Sequence, residues 1–318
     1  MTLKKILKKQ LRAFPSVFLV WKRFRYGCVS TKAYKRRIDR FFLNPEKSIN
    51  SFRTKKRAAN LILSFTSFPA RIGYVEYTLF SVLNQTIRPE KIILWLSEEE
   101  FPGKEADIPD SLKKYQPFNF EIQFVKKNLK SYTKLYYALR EFPDYAIVVF
   151  DDDVYYKPRW LEKLYNAYLE NPGCMIAHRI HTISFNNKRI DSYQNWKRQK
   201  AAASPLNFFT GVGGVLYPPR SLYKDVYNHE LFLTLCPNAD DIWFYVMALL
   251  QGTKIQGVRN GYSRAFDFDY IFSGEYMAIP KLADINVAKN QNDVQLKNVL
   301  EYYHMYDSFY QTYGENQG

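Results

Sequence analysis

From residue 60 onward the chain reads as short apolar runs separated by segments whose apolar residues recur every three or four positions. Residues 60–66 (NLILSFT) form the first run, closed by Ser67-Phe68-Pro69, and residues 91–96 (KIILWL), 120–125 (FEIQFV) and 146–150 (AIVVF) follow. Each predicts a strand, and continuous apolarity, in contrast to strict alternation, predicts strands covered on both faces in a largely parallel sheet. Between them residues 74–83 and 133–141 carry helical periodicity. Lys157-Pro158-Arg159-Trp160 marks another helix start, and 242–250 is a deeply apolar helix closed by Gly252. Strands and helices taking turns predict one α/β domain over 58–318, a mostly parallel central sheet flanked by helices.

Residues 1–57 have another pattern. Leu3, Ile6, Leu7 and Leu11 form a helical stripe among Lys4, Lys5, Lys8, Lys9 and Arg12; Phe14, Phe18, Leu19, Val20 and Trp21 follow, then Lys22, Arg23 and Arg25. Such a basic amphipathic arm suits an anionic membrane surface, with packing on the body or a nucleic-acid contact as the weaker alternatives. The arm holds 18 Lys or Arg against Asp39 and Glu46, so the net charge of +15 resides there and the body is close to neutral. That distribution argues against a nucleic-acid partner. No apolar run approaches the roughly 20 residues that cross a bilayer, and no small-residue cleavage site follows the apolar part of the arm. Cys28, Cys174 and Cys236 lack C-x-x-C spacing, which supports neither a disulfide framework nor structural zinc and points to a reducing compartment. The expectation is a cytoplasmic protein, peripheral at the inner face of the plasma membrane.

The strand at 146–150 runs into Asp151-Asp152-Asp153, and ligands of open α/β sheets bind beyond the carboxyl ends of strands. Adjacent carboxylates there repel one another unless a cation screens them, and oxygen ligands suit Mn²⁺ or Mg²⁺. Alternation along an extended chain would turn Asp151 and Asp153 to one side as metal ligands, with Asp152 on the other and grouped with the cofactor-binding residues. An acidic turn capping the next helix is the plainer alternative. Arg71 and Lys134, near strand ends, are candidate phosphate contacts. Among Gly211, Gly213 and Gly214, the last two are candidates for a close backbone approach to a ligand, or else for a turn leading into a strand. No dinucleotide fingerprint, P-loop, G-x-S-x-G or Cys-His arrangement is present.

The strand NLILSFTSFPAR, the helix and strand YTLFSVLNQTIRPEKIILWL, the segment SYTKLYYALREF and the strand AIVVFDDDVYY together resemble the GT-A fold nucleotide-sugar-dependent glycosyltransferases, close to bacterial family-2 enzymes of surface polysaccharide synthesis. The resemblance covers about residues 58–265. It implies a nucleotide-sugar donor, a glycan or lipid-linked acceptor, and an Asp-x-Asp motif at Asp151 and Asp153 holding the metal on the donor diphosphate. It also implies Thr66 and Phe68 at the base and ribose, Gly213 and Gly214 beneath the donor sugar, and a late histidine, His304, completing the metal site. In related inverting enzymes an acidic pair supplies the general base, which implies Asp241 as base and Asp240 as its neighbour; a helix start there would stabilise the charged carboxylate and make it a weak base. The chain departs from the family at 96–100, where Leu96-Ser97-Glu98-Glu99-Glu100 replaces the Asp-Asp-Gly-Ser run that contacts the base. Rival readings are a nucleotidyltransferase and a noncatalytic membrane- or RNA-binding protein.

Overall fold

A computed structural model describes residues 28–198, 202–258, 267–272 and 290–315. The amphipathic stretch at 1–27 lies outside the described residues. Seven strands make the central sheet: β1 (Leu61–Thr66), β2 (Lys91–Ser97), β3 (Phe120–Val125), β4 (Ala146–Val149), β5 (Met175–Ala177), β6 (Val215–Tyr217) and β7 (Ile255–Gly257). Their order is β7-β5-β6-β4-β1-β2-β3. The β4-β1-β2-β3 half is parallel throughout, β6 runs antiparallel to both β4 and β5, and β7 is parallel to β5.

The unbroken apolarity of the parallel strands has a direct cause in the layers around them. Leu61, Leu63 and Phe65 of β1 face one core with Ile92, Leu94 and Leu96 of β2. Ile62 of β1 faces the other core with Ile93, Trp95, Ile147 and Val149. Three helices, α1 (Thr31–Phe42), α2 (Pro45–Arg53) and α3 (Val75–Leu83), cover the first face, with α5 (Trp160–Glu170). On the second face lie α4 (Thr133–Glu141), α6 (Asp240–Gln251) and α7 (Gln291–Tyr302). Gly252 closes α6 with φ of +76°, the left-handed conformation that glycine adopts without Cβ strain.

The expected arm of 1–57 is not a unit apart. Tyr34 and Ile38 of α1 and Phe52 of α2 are among the most deeply buried side chains, and Lys35 reaches Glu76 of α3 at 3.1 Å. The high charge of this segment masks an apolar stripe, Tyr34, Ile38, Phe41 and Phe42, at helical spacing, while Lys32, Arg36, Arg37 and Arg40 face outward. Residues 31–53 therefore belong to the packed body, and the boundary at 57 is no packing boundary. Among the described residues no helix is long and apolar enough to cross a membrane.

Ile38→Ala is expected to lower stability by about 2–5 kcal/mol, the range for truncating a fully buried aliphatic side chain. Denaturant unfolding measures it, and a change near zero would remove α1 from the core.

Candidate active site

The parallel strands end at one edge, and four chain segments meet there. Trp95 Nε1 of β2 donates to Ser64 Oγ of β1 at 2.8 Å, and Ser64 Oγ donates to the carbonyl of Lys134. This lock fixes the first turn of α4, so that Lys134 projects toward the residues following β4. Its Nζ donates to Asp151 Oδ1 at 2.8 Å and lies 3.3 Å from Asp240 Oδ2 in the first turn of α6. Asp241 accepts from the backbone N–H of Gly211 at 3.1 Å on Oδ1 and 3.0 Å on Oδ2. A Cβ on Gly211 would sit 3.0 Å from Asp241 Oδ1, 3.4 Å from Lys134 Nζ and 3.8 Å from Asp151 Oδ1, so a larger residue there would crowd the acids and force them to shift.

Three carboxylates thus surround one ammonium. Burial alone would lower the Lys134 pKa, but Asp151, Asp240 and Asp241 together hold it above the ordinary lysine value. Asp241 moves the other way: burial first, then the neighbouring Asp240, push its carboxyl up to about 7 against the pull of Lys134 and the Gly211 N–H. The expectation of a weak base at a helix terminus is corrected, because desolvation and a like charge outweigh the helix dipole. Tyr217, at the end of β6, lies within electrostatic reach of all three acids, its hydroxyl buried and without a hydrogen-bond partner among the described residues.

Asp152 and Asp153 form a second cluster. Asp152 accepts from Ser67 Oγ at 2.6 Å and from Arg71 at 2.8 Å, and Asp153 lies 3.7 Å from the same Arg71 nitrogen. The expected alternation, Asp151 with Asp153 and Asp152 apart, does not hold. Residues 152–153 form a turn, so the two-residue period of an extended chain does not apply. Asp152 is buried and is pushed up to about 6 by that burial, with Arg71 opposing. Arg71, packed over Phe68 with 5.2 Å to the ring centroid, is drawn into this cluster.

Thr66 ends β1 and donates from Oγ1 to the Trp95 carbonyl at 2.8 Å. Gly213 and Gly214 answer to Trp160: the indole Nε1 donates to Gly213 O at 2.7 Å, and a Cβ on Gly214, at φ +89°, would collide with the ring. Packing explains Gly214, while the glycine that touches the acids is Gly211, indistinguishable from its neighbours in sequence. Tyr156 was equally hidden; its hydroxyl accepts from the Asp151 N–H at 3.0 Å and donates to Val212 O at 3.3 Å, tying the acidic loop to the glycine loop. His304 is not brought to the acids. Gln295, near the start of α7, accepts from Asn238 N beside α6, and Tyr303 lies beside Trp243 and Asp225. His304 itself lies two residues beyond the end of α7, exposed, and among the described residues it is not grouped with the acids as a metal ligand.

Carboxylate oxygens are the donors that Mn²⁺ and Mg²⁺ prefer, and three acids around one ammonium leave negative charge for a cation to neutralise. Asp151 and Asp153 fit such an ion by chemistry. As arranged, they turn to Lys134 and Arg71, and no three His, Cys, Asp or Glu side chains among the described residues are grouped to hold a metal ion.

A mostly parallel seven-stranded sheet flanked by helices, with its acids beyond the strand ends, defines an α/β protein of GT-A type. The chain belongs to glycosyl transferase family 2, whose model matches residues 70–232. Thr66, Phe68, Asp240, Asp241 and His304 lie outside that stretch. No curated protein matches the chain. Among solved structures it is similar to 4-diphosphocytidyl-2C-methyl-D-erythritol synthase from Anaerococcus prevotii, at 14% identity and TM-score 0.40 over 70% of this chain and 95% of that one. It is also similar to apo UDP-glucose pyrophosphorylase, at 8% identity and TM-score 0.39 over 79% and 99%. A third is the inositol-1-phosphate CTP transferase of T. maritima, at 13% identity and TM-score 0.37 over 78% and 97%. Likeness at these scores carries no weight for function.

The raised Asp241 carboxyl has a measurable consequence for stability. An acid whose folded pKa exceeds its ordinary 3.8 favours the folded state at low pH, and that contribution is lost as pH rises through about 7. Asp241→Asn, neutral throughout, is therefore expected to gain in thermal midpoint relative to the wild type between pH 4 and pH 8. A constant difference across that range would contradict the shift.

Proposed function

We propose that this family-2 chain transfers a sugar, of hexosyl type, from a nucleotide-diphosphate sugar to a hydroxyl of a glycan or lipid-linked acceptor, in bacterial surface polysaccharide synthesis. The observation that carries the reading is Asp241, a carboxyl with its proton affinity raised to about 7, oriented by Gly211 and set beside Lys134 and Asp151 at the carboxyl edge of the sheet. A base poised near neutral pH suits removal of a hydroxyl proton. In an inverting transfer Asp241 takes the acceptor proton as the acceptor oxygen bonds to the anomeric carbon. The bond from that carbon to the diphosphate oxygen breaks, and the diphosphate leaves with the electron pair.

Asp240 adds to burial in raising the proton affinity of Asp241, Lys134 holds Asp240, and the Gly211 N–H holds Asp241. Lys134 and Arg71 supply positive charge beside the diphosphate. Thr66, Phe68 and Asp152 line the nucleotide side, with Gly213 and Gly214 under the donor sugar. Asp151 and Asp153 would hold Mn²⁺ or Mg²⁺, which when bound neutralises charge on the leaving group. Residues 1–57 attach the protein to an anionic membrane surface at the inner face of the plasma membrane. The outward Lys32, Arg36, Arg37 and Arg40 of α1 support that attachment.

Release of nucleoside diphosphate from a panel of nucleotide sugars, in Mn²⁺ and in chelator, tests the transfer. Asp241→Asn is expected to lower turnover about 10²–10⁴-fold with donor binding retained, and wild-type turnover to climb with pH through about 7. Undiminished turnover in the variant, or a flat profile from about pH 5 to 8, would overturn the base assignment. For the arm, the full chain is expected to float with phosphatidylglycerol vesicles and a protein beginning at residue 28 to float less; equal flotation would exclude 1–27 as the attachment.

A further inference from the structure

The near-neutral charge of the body conceals one strongly basic stretch. Residues 178–200 carry Arg179, Lys188, Arg189, Lys197, Arg198 and Lys200 against the single acid Asp191. This stretch leaves the central sheet after β5, and its Ile180–Thr182 strand pairs antiparallel with Lys197–Arg198 and Asn207–Phe209. The start of α7 braces it: Asp293 accepts from Ser192 Oγ and from Tyr193 N, both at 2.7 Å. Lys188, Arg189 and Lys197 are exposed, and neither they nor Arg179 form an ion pair among the described residues.

Arg179 connects this stretch to the reacting acids. Its carbonyl accepts from Thr210 N at 3.1 Å, and the next residue, Gly211, is the one that donates to Asp241. On the other side a Cβ on Gly213 would meet Arg179 Cβ at 3.0 Å. The Tyr193 phenol stands within electrostatic reach of both Arg179 and Asp241. Two donors on this patch, Arg179 Nε and Thr210 Oγ1, are buried without a hydrogen-bond partner among the described residues. Buried donors are rarely left so, and a guanidinium is shaped to take carboxylate or phosphate oxygens.

We propose that the segment 178–198 is the acceptor surface, and that Arg179 with Thr210 receives an anionic group, carboxylate or phosphate, on an acidic glycan acceptor. The inference rests on the transferase reading above and narrows its acceptor class. The unpaired lysines and arginine beyond Arg179 would draw such an acceptor in and orient it toward Asp241.

The test is equilibrium binding of a glucuronate-terminated disaccharide, a phosphorylated disaccharide and their neutral counterpart to the full chain and to Arg179→Gln, each checked for an unchanged thermal midpoint. The acidic probes are expected to bind about tenfold or more tighter than the neutral one, the order of one charge-assisted hydrogen bond. Arg179→Gln should remove that preference, Arg179→Lys should keep part of it, and inorganic phosphate should compete. The exposed double variant Lys188→Glu, Arg189→Glu should weaken the acidic probes even if Arg179→Gln fails to fold. Equal binding of acidic and neutral probes would overturn the proposal. So would a loss in Arg179→Gln confined to nucleoside diphosphate or to phosphatidylglycerol vesicles, which would assign the arginine to the donor or to a membrane. If the acidic probes bind as expected while no nucleotide sugar is turned over, the transferase reading fails and the anion site stands.

Discussion

A buried ammonium among three carboxylates organises this protein. Lys134 cannot be taken out of water unpaired, and its partners come from Asp151 after β4 and from the first turn of α6. The requirement acts in both directions. The body of α6 is almost wholly buried, so its acidic first turn is carried into the domain, where the ammonium offsets part of its charge. Gly211 completes the arrangement because its N–H is aimed at Asp241 and no side chain stands between them. Burial first, and the negative charge of Asp240 that Lys134 leaves uncompensated, raise the proton affinity of Asp241.

The second ion cluster serves the first. Ser67, Arg71 and Asp152 lie beneath the turn at 152–153, and Thr78 Oγ1 donates to the carbonyls of Asp152 at 2.9 Å and Val154 at 2.8 Å. Pairs of this kind contribute little net stability, but they fix position. With Asp152 and Asp153 committed to Arg71, Asp151 is the most exposed of the three and the one turned toward Lys134.

Much of this was legible in the sequence, for reasons that can be named. The strands at 61–66, 91–97, 120–125 and 146–149 announced themselves because both faces of the parallel half are covered, and α4 because its stripe is regular. Strands β5, β6 and β7 are three residues each, too short for any periodicity, so the antiparallel half was silent. In α1 the arginines drew attention away from Tyr34 and Ile38. Asp151, Lys134, Asp240 and Asp241 stood out as charged groups near strand and helix ends, yet their pairing spans about a hundred residues and leaves no local trace. Gly211 is one of three glycines in a row of four, and only the proximity of Asp241 distinguishes it. The proton affinity of Asp241 was misjudged because a helix terminus is visible in sequence, whereas burial beside Asp240 is not.

The most direct measurement of the Lys134-centred cluster is the carbon-13 carboxyl titration of Asp241 in the full chain. This carboxyl is expected to titrate near 7 and to move higher still in Lys134→Met. A midpoint near the ordinary 3.8, unmoved by that substitution, would contradict it.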